Sequence, residues 1–205
     1  MGMISIKFVI PSFIVTLASM MTVRGLAFII TDGYPSPIDS EFTKWIGQKS
    51  TLGIPHSVFI FVIVVFLGYY LLEKSRFGRY VLAVGGNKEA ARIAGIHVTK
   101  IRLIVFSMSG LLAGLAGVVL ASQFGAGSPN SGNMYELDAI AAVVLGGTNL
   151  YGGRGRILGT VMGVLIIGVI DNGLNLLNVS PYYQMVTKGI VILFALGLNR
   201  FKETS

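Results

Sequence analysis

The sequence predicts an all-α polytopic membrane protein, with about six membrane-crossing segments and one short helix in a cytoplasmic loop. Three observations predict it. Of the 205 residues, 53% are hydrophobic and only 12% are charged, against about 25% charged in ordinary soluble domains. Several runs reach the 17–25 or so apolar residues needed to cross a bilayer. The net charge of +7 is concentrated: seven of the sixteen Lys and Arg residues lie between 73 and 102, namely Lys74, Arg76, Arg79, Lys88, Arg92, Lys100 and Arg102. A basic loop flanked by apolar spans is held on the cytoplasmic side.

The first span is placed at 12–30, SFIVTLASMMTVRGLAFII, with Pro11 at its start, where a missing N–H costs nothing. Arg24 lies within it, and a lipid-facing Arg is expensive, so it is expected to face other helices or reach an interface. The run after Lys7 is broken by Pro11 and Arg24, and no small-residue cleavage site follows, so this segment reads as mature chain and not as a signal peptide. Residues 31–55 form a polar loop with three acids and two bases, a bias compatible with the outside. The second span is 56–72, with Tyr69 and Tyr70 at its inner interface.

After the basic island comes a third span at 99–122. Its Gly110, Gly114 and Gly117 form a small-residue face suited to helix packing. Residues 123–134 carry no charge and read as an irregular external loop. The apolar core 139–145 is too short to span alone. Because the island and the C-terminus (Arg200, Lys202) both read as inside, 135–156 is expected to cross as a short helix continued by a glycine-rich segment; a re-entrant loop is the competing topology. Irregular backbone at that depth must be buried in protein or line a cavity. The fourth span is 157–177 and the fifth 181–199.

Several chemistries are disfavoured. Without cysteine there is no disulfide, thiolate metal site or thiol nucleophile. His56 and His97 lie apart, with no carboxylate or cysteine cluster beside them, so no metal or catalytic residue is assigned. Gly146-Gly147-Thr148 and Gly152-Gly153-Arg154-Gly155-Arg156 lack the Lys-Ser or Lys-Thr of a nucleotide P-loop. The basic residues are not interleaved with exposed aromatics, which argues against nucleic acid. No intramembrane carboxylate pair or nucleophile–base pair is evident, so no enzyme is predicted.

The runs GRYVLAVGGNKEAARIAGI and AIAAVVLGGTNLYGGRGRILGTVMGVLIIGVIDNGLNLL, together with the opening PSFIVTLASMMTVRGLAFIITDGYP, resemble ribose-type sugar permeases. These are the membrane subunits of bacterial ABC importers for monosaccharides. The resemblance covers essentially the whole chain as one permease domain, 1–205, without the spans that precede this region in typical members; it matches roughly spans five to ten of a ten-span architecture. It implies a multi-pass protein of the bacterial inner membrane, with the loop 73–98 and the C-terminus cytoplasmic. The implied partners are an ATPase subunit that hydrolyses ATP, an extracytoplasmic sugar-binding protein and a second permease subunit, expected to be an identical copy. No cofactor is implied. Permeases of related architecture for nucleosides, branched-chain amino acids or signalling furanosyl compounds are the alternative, as is a nonfunctional fragment.

The resemblance also implies a helix that docks the ATPase, placed at 87–95. Asn87 is its N-cap, Glu89 lies where the helix dipole favours an acid, Ala90, Ala91 and Ala94 leave a shallow surface, Arg92 can pair with an acidic partner, and Gly95 stops the helix. Gly85 and Gly86 are expected to turn the chain into it. Asp171, Asn172 and Asn175, late in the fourth span, are the candidates for lining the translocation pathway, since intramembrane acids face a bundle interior or wet cavity; a structural role at the helix terminus is the alternative for Asp171. Glu136 and Asp138 read as helix-dipole residues. Lys188 and Gln184 form a polar stripe expected to face protein.

Overall fold

A computed structural model describes residues 12–51, 53–150, 152–180 and 182–190. The chain divides into two compact units, each made of two separate stretches: 1–64 with 97–133, and 65–96 with 134–205. Among the described residues, four helices are long and apolar enough to cross a membrane: Ile14–Thr31, His56–Lys74, Val98–Phe124 and Ile157–Leu176. They match the first four full spans to within a few residues. Of the fifth, 182–190 is helical, and the remainder, with Arg200 and Lys202, lies outside the described residues, as do Lys7 and Pro11. Large apolar side chains stand exposed along these helices, among them Met21, Phe66 and Val169. So much uncovered apolar surface is incompatible with water and fits lipid or further helices.

In the first unit, α1 (Ser12–Thr31) is followed by β1 (Ser36–Pro37), α2 (Glu41–Gly47) and the two-residue strands β2 (Ser50–Thr51) and β3 (Ile54–Pro55). The second span begins as α3 (His56–Tyr69), and α6 (Val98–Phe124) leads into β4 (Ala126–Gly127). The loop expected to be irregular is therefore structured. β1 pairs antiparallel with β4, Ser36 opposite Gly127 and Pro37 opposite Ala126. Gly47 brings α2 against the end of α6: a Cβ there would sit 2.2 Å from the Ser122 carbonyl carbon. Gly125 ends α6 in the left-handed conformation, φ +65°, which a glycine adopts without strain.

His56 ties this region together. One ring nitrogen lies 2.6 Å from the Trp45 carbonyl oxygen and the other 2.7 Å from the Thr51 hydroxyl. Its ring packs tilted, at 42°, against Trp45 with centroids 4.4 Å apart. Lys44 pairs with Asp39, and the hydrogen bond and charge of that lysine hold the Asp39 carboxyl below its ordinary range. Arg24 finds its partner in the same unit, its guanidinium donating to Asn133 Oδ1 at 2.8 Å.

The second unit opens as α3 loosens into a π-helical turn, Tyr70–Lys74, before α4 (Arg76–Gly86) and α5 (Lys88–Ile93). Ser75 caps α4 by accepting from the Gly78 N–H at 3.2 Å. Gly85 and Gly86 belong to the last turn of α4 and do not form the sharp turn expected of them. The reason is packing. Gly85 lies against Gly152 and Gly153, and a Cβ on Gly152 would meet the Gly85 carbonyl oxygen at 2.5 Å. These glycines let two backbones touch.

After the loop, α7 (Tyr135–Leu145) packs on α8 (Ile157–Leu176). A Cβ on Gly159 would lie 2.1 Å from the Gly146 carbonyl oxygen, and one on Gly163 would lie 1.9 Å from that of Ala142. As the α7 residue number falls the α8 number rises, so the two helices run antiparallel as a close hairpin. The small-residue face predicted on α6 behaves otherwise. A Cβ on Gly110, Gly114 or Gly117 would meet nothing within 4 Å. These three glycines pack no helix among the described residues; the close helix contacts are made instead by Gly47, Gly146, Gly159 and Gly163.

Candidate functional site

The chemistry-bearing centre lies in the second unit, where α7, α8 and the helical segment 182–190 bring three charged side chains together. Lys188 Nζ lies 2.8 Å from Asp138 Oδ2 and 3.0 Å from Asp171 Oδ2. The three side chains are largely covered, 21–29% exposed. One ammonium between two carboxylates leaves the group one negative charge in excess. Asp171 Oδ1 is buried with no hydrogen-bond partner. It borders a small cavity shared with Asp138, Ala141, Ile167, Ile170 and Lys188. A buried acceptor without a donor is costly to leave unmatched, so this oxygen has capacity for a water, a hydroxyl or an amide.

The sequence explains the register. Asp138 lies in the first turn of α7, where the dipole favours an acid, and the antiparallel hairpin carries it up beside Asp171. One turn further along α8, Asn175 Oδ1 accepts from Gln184 Nε2 at 2.9 Å, and Gln184 also donates to the Val179 carbonyl at 2.9 Å. Gln184 and Lys188, four residues apart, therefore share one helix face. That stripe faces protein, as expected. Asn172 is exposed and stands apart from Asp171 and Asn175. In the sequence Asp138 reads as a helix-dipole residue or a contact for the binding protein, and Lys188 has no evident partner. The carboxylate pairing is invisible there because 33 residues and a turn separate Asp138 from Asp171.

The second element of interest is α5. Asn87 Oδ1 accepts from the N–H groups of Glu89 and Ala90, both at 3.0 Å. At the other end Gly95 adopts φ +80°; its N–H bonds the Arg92 carbonyl and the Ile96 N–H that of Ala91, each at 3.0 Å. That pair of bonds is a Schellman stop. Glu89 and Arg92 pair at 3.3 Å on the exposed face. Ala90 and Ala94 are exposed, as is Gly86. Ala91 is buried, 4% exposed, so it packs inward and is not part of the outer surface. Ile93, passed over in the sequence, is 86% exposed. An apolar side chain set so far out of a helix between two capped ends is the prominent feature of this surface. Among the described residues no three or more His, Cys, Asp or Glu side chains group as a metal site.

Long apolar helices, one of them carrying Asp171 of the ion triad, and a capped helix between spans define an all-α polytopic membrane protein. Sequence comparison supplies the particular family: residues 1–196 match the model described as branched-chain amino acid transport system / permease component, and the chain belongs to that family. It is 47% identical over 208 residues to the ribose import permease protein RbsC of Escherichia coli K12, covering 98% of this chain and 64% of that protein. It is 49% identical over 206 residues to the RbsC of Bacillus subtilis 168, covering 98% and 63%. The L-arabinose transport system permease protein AraH of Escherichia coli K12 is 43% identical over 202 residues, covering 98% and 62%. The chain thus spans somewhat under two thirds of the length of these relatives. The resemblance to ribose-type permeases drawn from the sequence is borne out. No solved structure matches the chain significantly.

Proposed function

We propose that this chain is a membrane subunit of an ATP-driven importer for a monosaccharide of the ribose type, resident in a bacterial inner membrane. The observation that carries the reading is identity of 47–49% to ribose import permeases across 98% of the chain. In this reading the spans contribute to the translocation pathway. The loop 73–98 and the C-terminus face the cytoplasm, where the basic island belongs. ATP is hydrolysed by a partner ATPase subunit, and an extracytoplasmic binding protein delivers sugar. A second permease subunit, taken to be an identical copy, completes the pathway.

The ATPase docks on α5, through Ile93, Glu89, Ala90, Arg92 and Ala94, with Gly86, Asn87 and Gly95 fixing the geometry. A short helix with both ends capped resists fraying, so a push on it moves the attached spans instead of unwinding it. Asp171 is the polar contact to the pathway, supported by its buried, donor-free oxygen; Asn175 continues the polar face one turn along α8, and Asn172 lies off that face. The uncovered Gly110, Gly114 and Gly117 face suits close approach of another helix.

Uptake of labelled ribose into proteoliposomes holding this chain, its ATPase and its binding protein tests the reading. ATP-dependent ribose accumulation supports it; failure with every pentose and hexose would sink the sugar assignment. The family description, naming branched-chain amino acid transport, favours a second reading in which the solute is an amino acid, and leucine uptake in the same vesicles would establish it. For docking, Ile93→Asp is expected to abolish co-purification of the ATPase with membrane insertion intact. Undiminished co-purification moves the docking surface elsewhere.

A further inference from the structure

A second cavity, of about 280 Å³, opens in the same unit among α4, the end of α7, the loop 148–156 and the start of α8. Its lining combines the apolar Leu72, Val81, Leu82 and Val143 with the polar Thr148, Asn149 and Thr160 and with Arg154 and Arg156. Both arginines are exposed, and among the described residues neither has an ion-pair partner. The nearby carboxylate of Glu73 is engaged elsewhere: its Oε1 accepts from the Ile157 N–H at 3.2 Å.

That bond also fixes the depth. Glu73 lies at the end of one apolar span and Ile157 at the start of another, so both spans leave the apolar layer at the same level. The cavity therefore lies at headgroup height.

We propose that this cavity binds the headgroup of an anionic phospholipid, its phosphodiester held by Arg154 and Arg156 and its glycerol and upper acyl chains along Leu72, Val81, Leu82 and Val143. Guanidinium pairs match phosphate oxygens in geometry as well as charge, and basic pockets between membrane helices recognise lipid headgroups in this way. A free phosphate would leave these apolar residues without a partner. The glycines at the back of the cavity, Gly85, Gly152 and Gly153, give the lipid a floor of backbone without side chains in its way.

Native mass spectrometry of the purified chain in detergent, titrated with phosphatidylglycerol or phosphatidylcholine, tests this. Phosphatidylglycerol is expected to bind about tenfold more tightly. Arg154→Gln with Arg156→Gln is expected to remove that preference. Arg79→Gln with Lys88→Gln, which removes equal charge outside the cavity, is expected to keep it. Equal binding of the two lipids, or equal losses in the two double variants, would overturn the proposal in favour of general basic attraction. Displacement of the lipid by millimolar inorganic phosphate would overturn it in favour of a free-anion site. Should the Arg154→Gln, Arg156→Gln protein keep its lipid and lose a co-purifying ATPase, the arginines belong to a protein carboxylate and the proposal fails.

Discussion

At the scale of single residues, glycine has opposite meanings at different positions of this chain. Gly163 has the Ala142 carbonyl oxygen where a Cβ would go, at 1.9 Å. Gly114 has open space. Gly163→Ala is therefore expected to cost about 1–3 kcal/mol, the usual range for overpacking, and Gly114→Ala to raise stability by up to about 1 kcal/mol through helix propensity. Thermal unfolding in detergent, followed by loss of the monodisperse peak, checks both. Equal effects would mean that the α7–α8 contact is looser than described. Both glycines read alike in the sequence; the difference lies in which helix arrives opposite, and no local pattern carries that. Lys188 makes the same point with charge. Lys188→Met leaves Asp138 and Asp171 facing each other across a covered site, and removing one member of such a group costs about 3–5 kcal/mol. Adding Asp138→Asn and Asp171→Asn is expected to recover most of the loss, as the same thermal assay would show. Asp39 is the contrasting case. Its lowered titration adds stability present at neutral pH and lost as pH falls through the carboxylate range, but the pair is exposed, and solvent screens such pairs. Asp39→Asn is expected to leave the unfolding temperature at pH 7 unchanged.

At the scale of elements, α5 was the most legible in the sequence, because its signals are local. A side-chain oxygen at Asn87 and a left-handed Gly95 each act within a few residues, and both ends fall where those two residues put them. Asn87→Ala is expected to cost about 1 kcal/mol of local helix stability, with Asn87→Ser restoring it. Hydrogen exchange at Glu89 and Ala90, whose N–H groups the Asn87 side chain accepts, should quicken about fivefold in the first variant and not in the second. Unchanged exchange would mean that the cap is dispensable. The burial of Ala91 was illegible: four alanine and glycine positions look equivalent in sequence, and only the neighbouring α4 decides which of them faces inward. The four long spans were legible from hydropathy alone, since length and apolarity are properties of one segment. The helix α2, the strand pairs and the His56 cluster were not. Of these, the β1–β4 pair depends on residues 36–37 meeting 126–127, a pairing no window of sequence contains.

At the scale of the molecule, the first unit draws on residues 1–64 and 97–133 and the second on 65–96 and 134–205. Each is closed by contacts across a long gap in sequence. The β1–β4 pairing can be tested directly, because the chain has no cysteine of its own. Ser36→Cys with Gly127→Cys, a directly opposed pair, is expected to form a disulfide under mild oxidation, read as a mobility shift that a reductant reverses. Ser36→Cys with Gly132→Cys is expected to give none. Cross-linking of both pairs alike would show that the loops sample each other without a fixed register.

This interleaving bears on how the chain is made. A ribosome delivers Gly47 and residues 36–37 roughly 75–90 residues before their partners at 122 and 126–127, which at about 5–20 residues per second is a delay of several seconds or more. During that interval the first unit lacks its closing strand and α2 its support from α6. The second unit meanwhile has its opening helices, α4 and α5, waiting for the glycines at 152–153. Neither half can be finished before the other is begun, so synthesis leaves an extended window in which helpers at the membrane, and proteases, meet a partly assembled protein.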